Sequence, residues 1–337
     1  MTNISTPQNS TDIGIVFSAD NYYVPYMSTA IQSIMENASA DKQYHIYVLY
    51  QDISQQSKEQ LRGQVAAFSQ FAIDFVEAKQ YVEGYKFFSS RWSVETYFRL
   101  LIPYLFPERK KMIYLDGDII CNVDIAELYE VELGENLLAC VRDYSGTMIM
   151  CGTDEREKEI YQNEHQIFAE LKNPDDYFNA GVQVFNSEAF RNTISMPDLL
   201  AFTASRAWQI VDQDVLNVLC EGKVMFLPID WNFPNCNSNL ANLPKDLQQA
   251  YIAARERPKL VHLIWKPWRA YTDLPSIRLF FAYAFKTPFI ETILTRIYNI
   301  NPNVPIKKRV LSEIENKNIG LRFLVKCLVQ WAKGKTK

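Results

Sequence analysis

The sequence predicts an α/β fold: a Rossmann-like, mixed but mostly parallel sheet flanked by helices. Two observations carry that expectation. Residues 13–76 alternate apolar strand-like runs with helical patterns in the order strand, helix, strand, helix, strand, the opening half of a doubly wound sheet. Further on, the apolar run Met112-Ile113-Tyr114-Leu115 stops abruptly in Asp116-Gly117-Asp118. Two carboxylates therefore stand at the carboxyl end of a buried strand, where open α/β sheets bind their ligands.

The first strand covers 13–18, and a polar loop follows, Ala19-Asp20-Asn21-Tyr22-Tyr23. Pro25 opens a helix through Asn37, with Met27, Ala30, Ile31 and Ile34 on one face. Residues 44–50 form the second strand, 55–68 the second helix and 71–76 the third strand. Neither G-x-G-x-x-G nor a Walker sequence accompanies them. Residues 93–105 are expected to form one helix, with Pro103 near its end, leading into the strand at 112–115.

A strand at 137–141 ends in Arg142-Asp143. The polar stretch 144–176, with a helix expected over 155–171, has the size and place of a lid or acceptor loop. A strand continues to Asn186, and Asp212-Gln213-Asp214 opens a helix for which Asp214 serves as an N-cap. Short strands are expected at 223–228 and 259–264, and helix over 275–298.

Asp116 and Asp118 repel each other unless a cation sits between them, and Gly117 lets the backbone turn so that both acids face one point. Tyr114-Leu115-Asp116-Gly117-Asp118, followed by Ile119, Ile120 and Val123-Asp124-Ile125, resembles the metal-binding signature of the family 8 glycosyltransferases. Those are retaining enzymes of the GT-A fold that use nucleotide sugars. The resemblance extends over residues 13–270. It takes in Ser93 with Tyr97-Phe98-Arg99-Leu100, Phe178-Asn179-Ala180-Gly181-Val182, Asp212-Gln213-Asp214-Val215-Leu216-Asn217 and Trp231-Asn232-Phe233, and closes with His262 through Lys266-Pro267-Trp268. One departure stands out: three residues separate His262 from Lys266 where the family has five including a Gly, so the phosphate-binding turn is tighter or differently routed.

The resemblance implies a GT-A domain that transfers a hexose, galactose or glucose, from a UDP-sugar to a glycan or glycolipid acceptor. A lipopolysaccharide or lipooligosaccharide core is the acceptor that fits best. It implies Mn²⁺, or Mg²⁺, held by Asp116, Asp118 and His262, with imidazole favouring the softer ion. Lys266 would meet the phosphates. In the first loop, Asp20 would accept from the uracil imide beside Ala19, and Tyr23 would stack on the ring. Asp116, Arg99, Asn179, Asp212 and Gln213 would hold the sugar hydroxyls, with Gly117 and Ala180 also in the donor-binding site. Gln213 would face the anomeric carbon, with Asp212 and Asp143 as catalytic companions. A neutral amide is a poor nucleophile, which favours a front-face route in which the leaving phosphate takes the acceptor's proton.

Charge distribution separates candidate partners. Residues 303–337 hold nine Lys/Arg against two acids, a net of +7; with −4 for the whole chain, the rest carries −11. An acidic body does not suit nucleic acid. The basic stretch, with apolar Leu321, Leu324, Val325, Leu328 and Trp331 at helical spacing, suits a helix lying on an anionic membrane surface. The expected organisation is a polar lead at 1–12, the catalytic domain at 13–270, a helical extension at 271–302 and an amphipathic basic tail at 303–337. The first twelve residues lack the pattern of a secretory signal, and six scattered cysteines show no metal-site spacing. The expected location is cytoplasmic, peripheral on the inner face of the membrane. A sugar-nucleotide nucleotidyltransferase would need a Gly-rich loop that Ser18-Ala19-Asp20-Asn21 is not, and a non-catalytic carbohydrate binder would not need the intact set of acids.

Overall fold

The computed structural model describes residues 12–87, 93–143, 166–235, 245–268 and 274–298. Ten strands lie within them: β1 Ile13–Ser18, β2 Tyr44–Tyr50, β3 Phe71–Glu77, β4 Lys111–Leu115, β5 Ile119–Cys121, β6 Leu138–Arg142, β7 Phe178–Asn186, β8 Val224–Phe226, β9 Phe233–Pro234 and β10 Leu260–His262. Seven form the central sheet in the order β3-β2-β1-β4-β7-β6-β8. The first four are mutually parallel, as their continuous apolar runs and intervening helices require, β7 runs antiparallel to both β4 and β6, and β8 is parallel to β6.

The reversal at β7 places the chemistry. Because β4 and β7 run in opposite directions, the carboxyl end of β4 meets the beginning of β7, pairing Leu115 with Val182. Asp116 N–H then donates to Gly181 O at 2.8 Å. A second sheet, β5-β10-β9, does the same for the other acid: β5 and β10 pair antiparallel with Ile119 opposite His262, and Leu263 N–H donates to Asp118 O at 2.9 Å.

Helix α1, Val24–Asn37, is buried on nearly every side, from Val24 to Met35. Its outer face is covered by the helices Leu274–Ala284 and Ile290–Tyr298, where Tyr26, Ile120, Trp268, Phe280, Phe281 and Ile293 share one apolar cluster. The ring of Tyr26 stacks on that of Trp268 with centroids 4.0 Å apart. Residues 274–298 thus share a core with the strands that carry the site.

Several elements differ from expectation. Residues 93–105 form a 3₁₀ helix, Val94–Leu101, followed by a single α turn, Ile102–Leu105. Pro103 lacks the N–H that a continuing helix would need and sits in the first turn of a new one. The helix expected over 275–298 is two helices, and Pro288 lies in the break between them. Of the helix expected over 155–171, only the 3₁₀ turn Gln166–Ala169 is described. Residues 144–165, like the tail at 303–337, lie outside the described residues. Among the described residues no helix is long and apolar enough to cross a membrane.

Candidate active site

Asp116 and Asp118 leave β4 on either side of Gly117, and His262 ends β10. One ligand atom from each lies within 4.8 Å of the others, and Asp118 and His262 are buried. His262 Nε2 is 3.3 Å from Asp118 Oδ1 and 3.8 Å from Asp116 Oδ2. On the far side of the ring, His262 Nδ1 lies 2.9 Å from Asn232 Oδ1. Nδ1 is the natural donor in that bond, which leaves the Nε2 lone pair facing the carboxylates. Asp118 Oδ1 is buried with no hydrogen-bond partner among the described residues. An acceptor oxygen facing an imidazole lone pair needs a cation, and a set of carboxylate oxygens and one nitrogen fits a divalent ion such as Mn²⁺ or Mg²⁺.

Two glycines make room for this cluster. A Cβ on Gly181 would lie 2.4 Å from His262 Cε1 and 2.8 Å from Asp116 Oδ2. Gly117 lies in the turn between the two acids, and its φ is not in the left-handed region, unlike those of Gly84, Gly134 and Gly222. What Gly117 provides is space, because a Cβ there would come within 3.1 Å of the Tyr23 ring and 3.2 Å of Met27 Cβ.

Arg99 organises the other half of the site. Its side chain is only 7% exposed, with Nη2 2.9 Å from Asp116 Oδ1 and Nε 2.8 Å from Asp212 Oδ2. Nη1 donates to Ala180 O at 2.6 Å and Nε to Thr96 O at 3.1 Å. Its guanidinium also lies over the Tyr114 ring, 4.3 Å from the centroid, and Tyr114 OH donates to Asp116 Oδ1 at 2.9 Å. Burial pushes the Asp212 carboxyl up to about 7; the Arg99 charge opposes this and the nearby Asp116 charge adds to it. Asp118 shifts the other way: burial works against its charge, but the Lys266 ammonium outweighs it and holds the carboxyl well below its usual range.

The helix Val211–Leu219 delivers Asp212 and Gln213 from a strained start, since Val211 has φ +34°, a conformation that costs a β-branched residue about 1–3 kcal/mol. Gln213 is held at both ends of its amide: Oε1 accepts from Ala180 N at 2.9 Å and Nε2 donates to Asp143 Oδ2 at 2.9 Å. Asp143 therefore acts through Gln213. Asp214 does not cap this helix as expected. Its Oδ2 accepts from the N–H groups of Gln209 and Ile210, in the turn before the helix, and its Oδ1 from Tyr177 OH. One turn after Gln213, Asn217 exchanges two hydrogen bonds with the Phe178 backbone, at 2.8 and 2.9 Å, fixing the first residue of β7.

Asn179 Oδ1 accepts from Gly181 N and from Asn232 Nδ2, both at 2.9 Å, which leaves its NH₂ as the group able to meet a ligand. In the first loop, Ala19 is buried and Asp20 Oδ1 accepts from Tyr23 N at 2.7 Å. Tyr23 reaches across to the acids, its hydroxyl donating to Asp118 Oδ2 at 2.8 Å. Lys266 makes an ion pair with that same oxygen. Asp116, Asp118, His262, Arg99, Asp212, Tyr23 and Lys266 thus form one connected cluster, which Asp143 joins through Gln213 and Asp20 through Tyr23. Tyr114 and Asn232, named in the sequence only within motifs, and Asn235, not named there, whose side-chain amide pairs with the Trp265 backbone, complete the arrangement. The side-chain partners of Asn232 and Asn235 lie 30 or more positions away in the chain, whereas Tyr114 meets Asp116 two residues on.

The model of the family "Glycosyl transferase family 8" matches residues 14–272. General stress protein A of Bacillus subtilis is 25% identical over 279 residues, 80% of this chain and 92% of that protein. A lipopolysaccharide 1,2-glucosyltransferase of Escherichia coli is 26% identical over 318 residues, 88% of this chain and 81% of that one. Among solved structures, the bifunctional glycosyltransferase WbbM superposes with a TM-score of 0.74 at 28% identity. The match covers 86% of this chain but only 52% of WbbM, so the chain spans about half the length of that protein. The galactosyltransferase LgtC, solved with donor and acceptor sugar analogues, shares the fold, with a TM-score of 0.61 at 22% identity over 88% of this chain and 99% of that one.

Proposed function

This chain belongs to glycosyl transferase family 8, and from that premise we propose that it moves a hexose from a UDP-sugar to a glycan acceptor with retention of configuration, with the aid of a divalent ion. The observation that carries this reading is the convergence of Asp116, Asp118 and His262 on one point beside an unpartnered carboxylate oxygen. Those three residues would hold Mn²⁺ or Mg²⁺, which supplies Lewis-acid neutralisation of the charge developing on the leaving diphosphate. Lys266 adds a positive charge beside the phosphates. Arg99 keeps Asp116 and Asp212 in place, and the NH₂ of Asn179 is free to donate to a donor-sugar hydroxyl. Asp20 and Tyr23 form the wall against which the uracil would rest.

Gln213 is bonded at both ends of its amide and cannot turn into a nucleophile without breaking those bonds. That supports the front-face route, in which Gln213 supports the anomeric carbon electrostatically and the leaving phosphate oxygen receives the acceptor proton. The Escherichia coli relative named for lipopolysaccharide glucosylation supports a cell-surface glycan or glycolipid as acceptor. The net charge of +7 in residues 303–337 supports an enzyme that works on the cytoplasmic face of an anionic membrane.

The test is a screen of UDP-hexoses for hydrolysis without acceptor, with Mn²⁺ and with chelator. UDP release from one donor in the presence of the ion, and not with chelator, is the expected result. If no UDP-sugar is consumed, or if a nucleoside triphosphate and a sugar phosphate are consumed instead, the proposal fails.

A further inference from the structure

The segment between His262 and Lys266, shortened relative to the family pattern, has a support of its own. Asn235 behaves as a one-residue strand for it: Trp265 N–H donates to Asn235 Oδ1 at 2.9 Å, and Asn235 Nδ2 donates back to Trp265 O at 2.8 Å. The clamp is anchored on both sides, because Asn235 N–H donates to His262 O at 3.1 Å and Asn235 Nδ2 also reaches Ser276 Oγ at 3.0 Å. Ile264 N–H closes back on His262 O at 2.9 Å, making the turn as tight as three residues allow. The consequence is where Lys266 ends up. Its side chain, 19% exposed, is delivered onto Asp118 Oδ2, an oxygen that also accepts from Tyr23 OH.

Charge in this centre is therefore already partly offset by the chain itself. Arg99 lies between Asp116 and Asp212, and Lys266 sits on Asp118. A divalent cation entering beside Asp118 Oδ1 meets an ammonium on the other oxygen of the same carboxylate, and like charges at that range in a buried site repel strongly. A nucleoside diphosphate changes the balance, because its oxygens offer the ion further ligands and offer Lys266 a new partner. We propose that Lys266 is a tethered cation that competes with the divalent ion for Asp118 and is drawn off by the diphosphate, so that ion and nucleotide bind as a linked pair. This rests on the proposed function for the identity of ion and nucleotide. It adds an order to their binding: the ion alone binds weakly, and the nucleotide tightens it. The Asn235 clamp sets the competition by holding the turn short enough for Lys266 to reach the acid.

The test is binding, not turnover. Mn²⁺ is titrated into the full chain with and without UDP, following the paramagnetic resonance of free Mn²⁺, for the wild type, Lys266→Met and Lys266→Arg, with thermal melting to confirm folding. In the wild type, UDP should tighten Mn²⁺ binding by roughly tenfold or more, a normal size for coupling between ligands. Lys266→Met, uncharged but of similar length, should bind Mn²⁺ alone roughly tenfold tighter than the wild type and respond less to UDP. Lys266→Arg keeps the cation and should keep the weak nucleotide-free binding. If the wild type binds Mn²⁺ with UDP but Lys266→Met gains nothing without it, the competition is overturned and the proposed function stands. If the wild type fails to bind Mn²⁺ even with UDP, the proposed function falls and this inference with it.

Discussion

His262 Nδ1 lies 2.9 Å from Asn232 Oδ1, and that bond decides which nitrogen of the ring the two aspartates see. Asn232 is itself fixed, since its Nδ2 donates to Asn179 Oδ1 at 2.9 Å. Removing such an outer support of a metal-ligating imidazole typically costs about 10–100-fold in affinity. Asn232→Ala is expected to weaken Mn²⁺ binding in the presence of UDP by about that factor, measured by titration, while the melting temperature changes little. Unchanged affinity would mean that the ring is oriented by packing alone.

Asp118 is tied to the chain through one carboxylate oxygen, Oδ2, which meets Tyr23 and Lys266, while its buried Oδ1 has no hydrogen-bond partner among the described residues. Asp118→Asn preserves shape and removes charge. The loss of UDP-sugar turnover should be roughly two to three orders of magnitude, the size seen when a charge-stabilising group is removed. Asp116→Ala should lose a similar amount and also destabilise the protein, since Asp116 is a counter-charge for Arg99. Near-native turnover of either variant with Mn²⁺ present would sink the metal assignment.

Gly181 offers a steric test of the same centre. A methyl group there would lie 2.4 Å from His262 Cε1 and 2.8 Å from Asp116 Oδ2, so the imidazole has to leave its place. Overpacking of this kind costs about 1–3 kcal/mol. Gly181→Ala should therefore fold with modestly reduced stability in urea yet lose most of its Mn²⁺ affinity. Full retention of that affinity would show that the backbone of β7 gives way rather than the ring.

Much of this site was legible in the residue pattern, and its omissions have physical causes. β1, β2 and β4 announce themselves because strands buried on both faces carry no polar alternation, and Asp116, Asp118, Asn179, Asp212 and Gln213 each stand in a dense motif. The reversal of β7 left no trace in its composition, since an antiparallel neighbour buried on both faces looks like a parallel one. β5 is three residues long, too short for any period, whereas β10 falls within the strand expected at 259–264. Asn232 and Asn235 act on residues some 30 positions away. Long-range amide contacts have no local signature, so the clamp that routes the shortened turn to Lys266 appears only in three dimensions.

Arg99 joins three distant groups with one guanidinium, Asp116, Asp212 and the carbonyl of Ala180, besides the carbonyl of Thr96 one turn before it. Above about pH 7, where Asp212 is ionised, Arg99→Met would strand its carboxylate, 3% exposed, without its counter-charge. Breaking a buried pair in this way costs about 3–5 kcal/mol. Arg99→Lys should recover only part of it, because a single ammonium cannot span all three groups. Urea unfolding of both variants checks this, and a change below about 1 kcal/mol for Arg99→Met would refute the hub.

Asp212 should leave a mark on the pH dependence of stability. Burial raises its carboxyl to about 7 in the folded chain, against about 3.9 in an unfolded one. The folded state therefore holds this proton more tightly. The stability linked to it is fully present below the unfolded value of about 4 and is lost as pH rises through about 7. Three units correspond to at most about 4 kcal/mol. Asp212→Asn cannot titrate, so the wild type should lose stability relative to this variant as pH rises from about 4 to about 7, and the two should run parallel above it. Urea unfolding of both proteins across that range is the measurement. Curves parallel throughout would mean that Arg99 offsets the burial completely and that Asp212 stays ionised, which would make the Arg99–Asp212 pair a fixed salt bridge at every working pH.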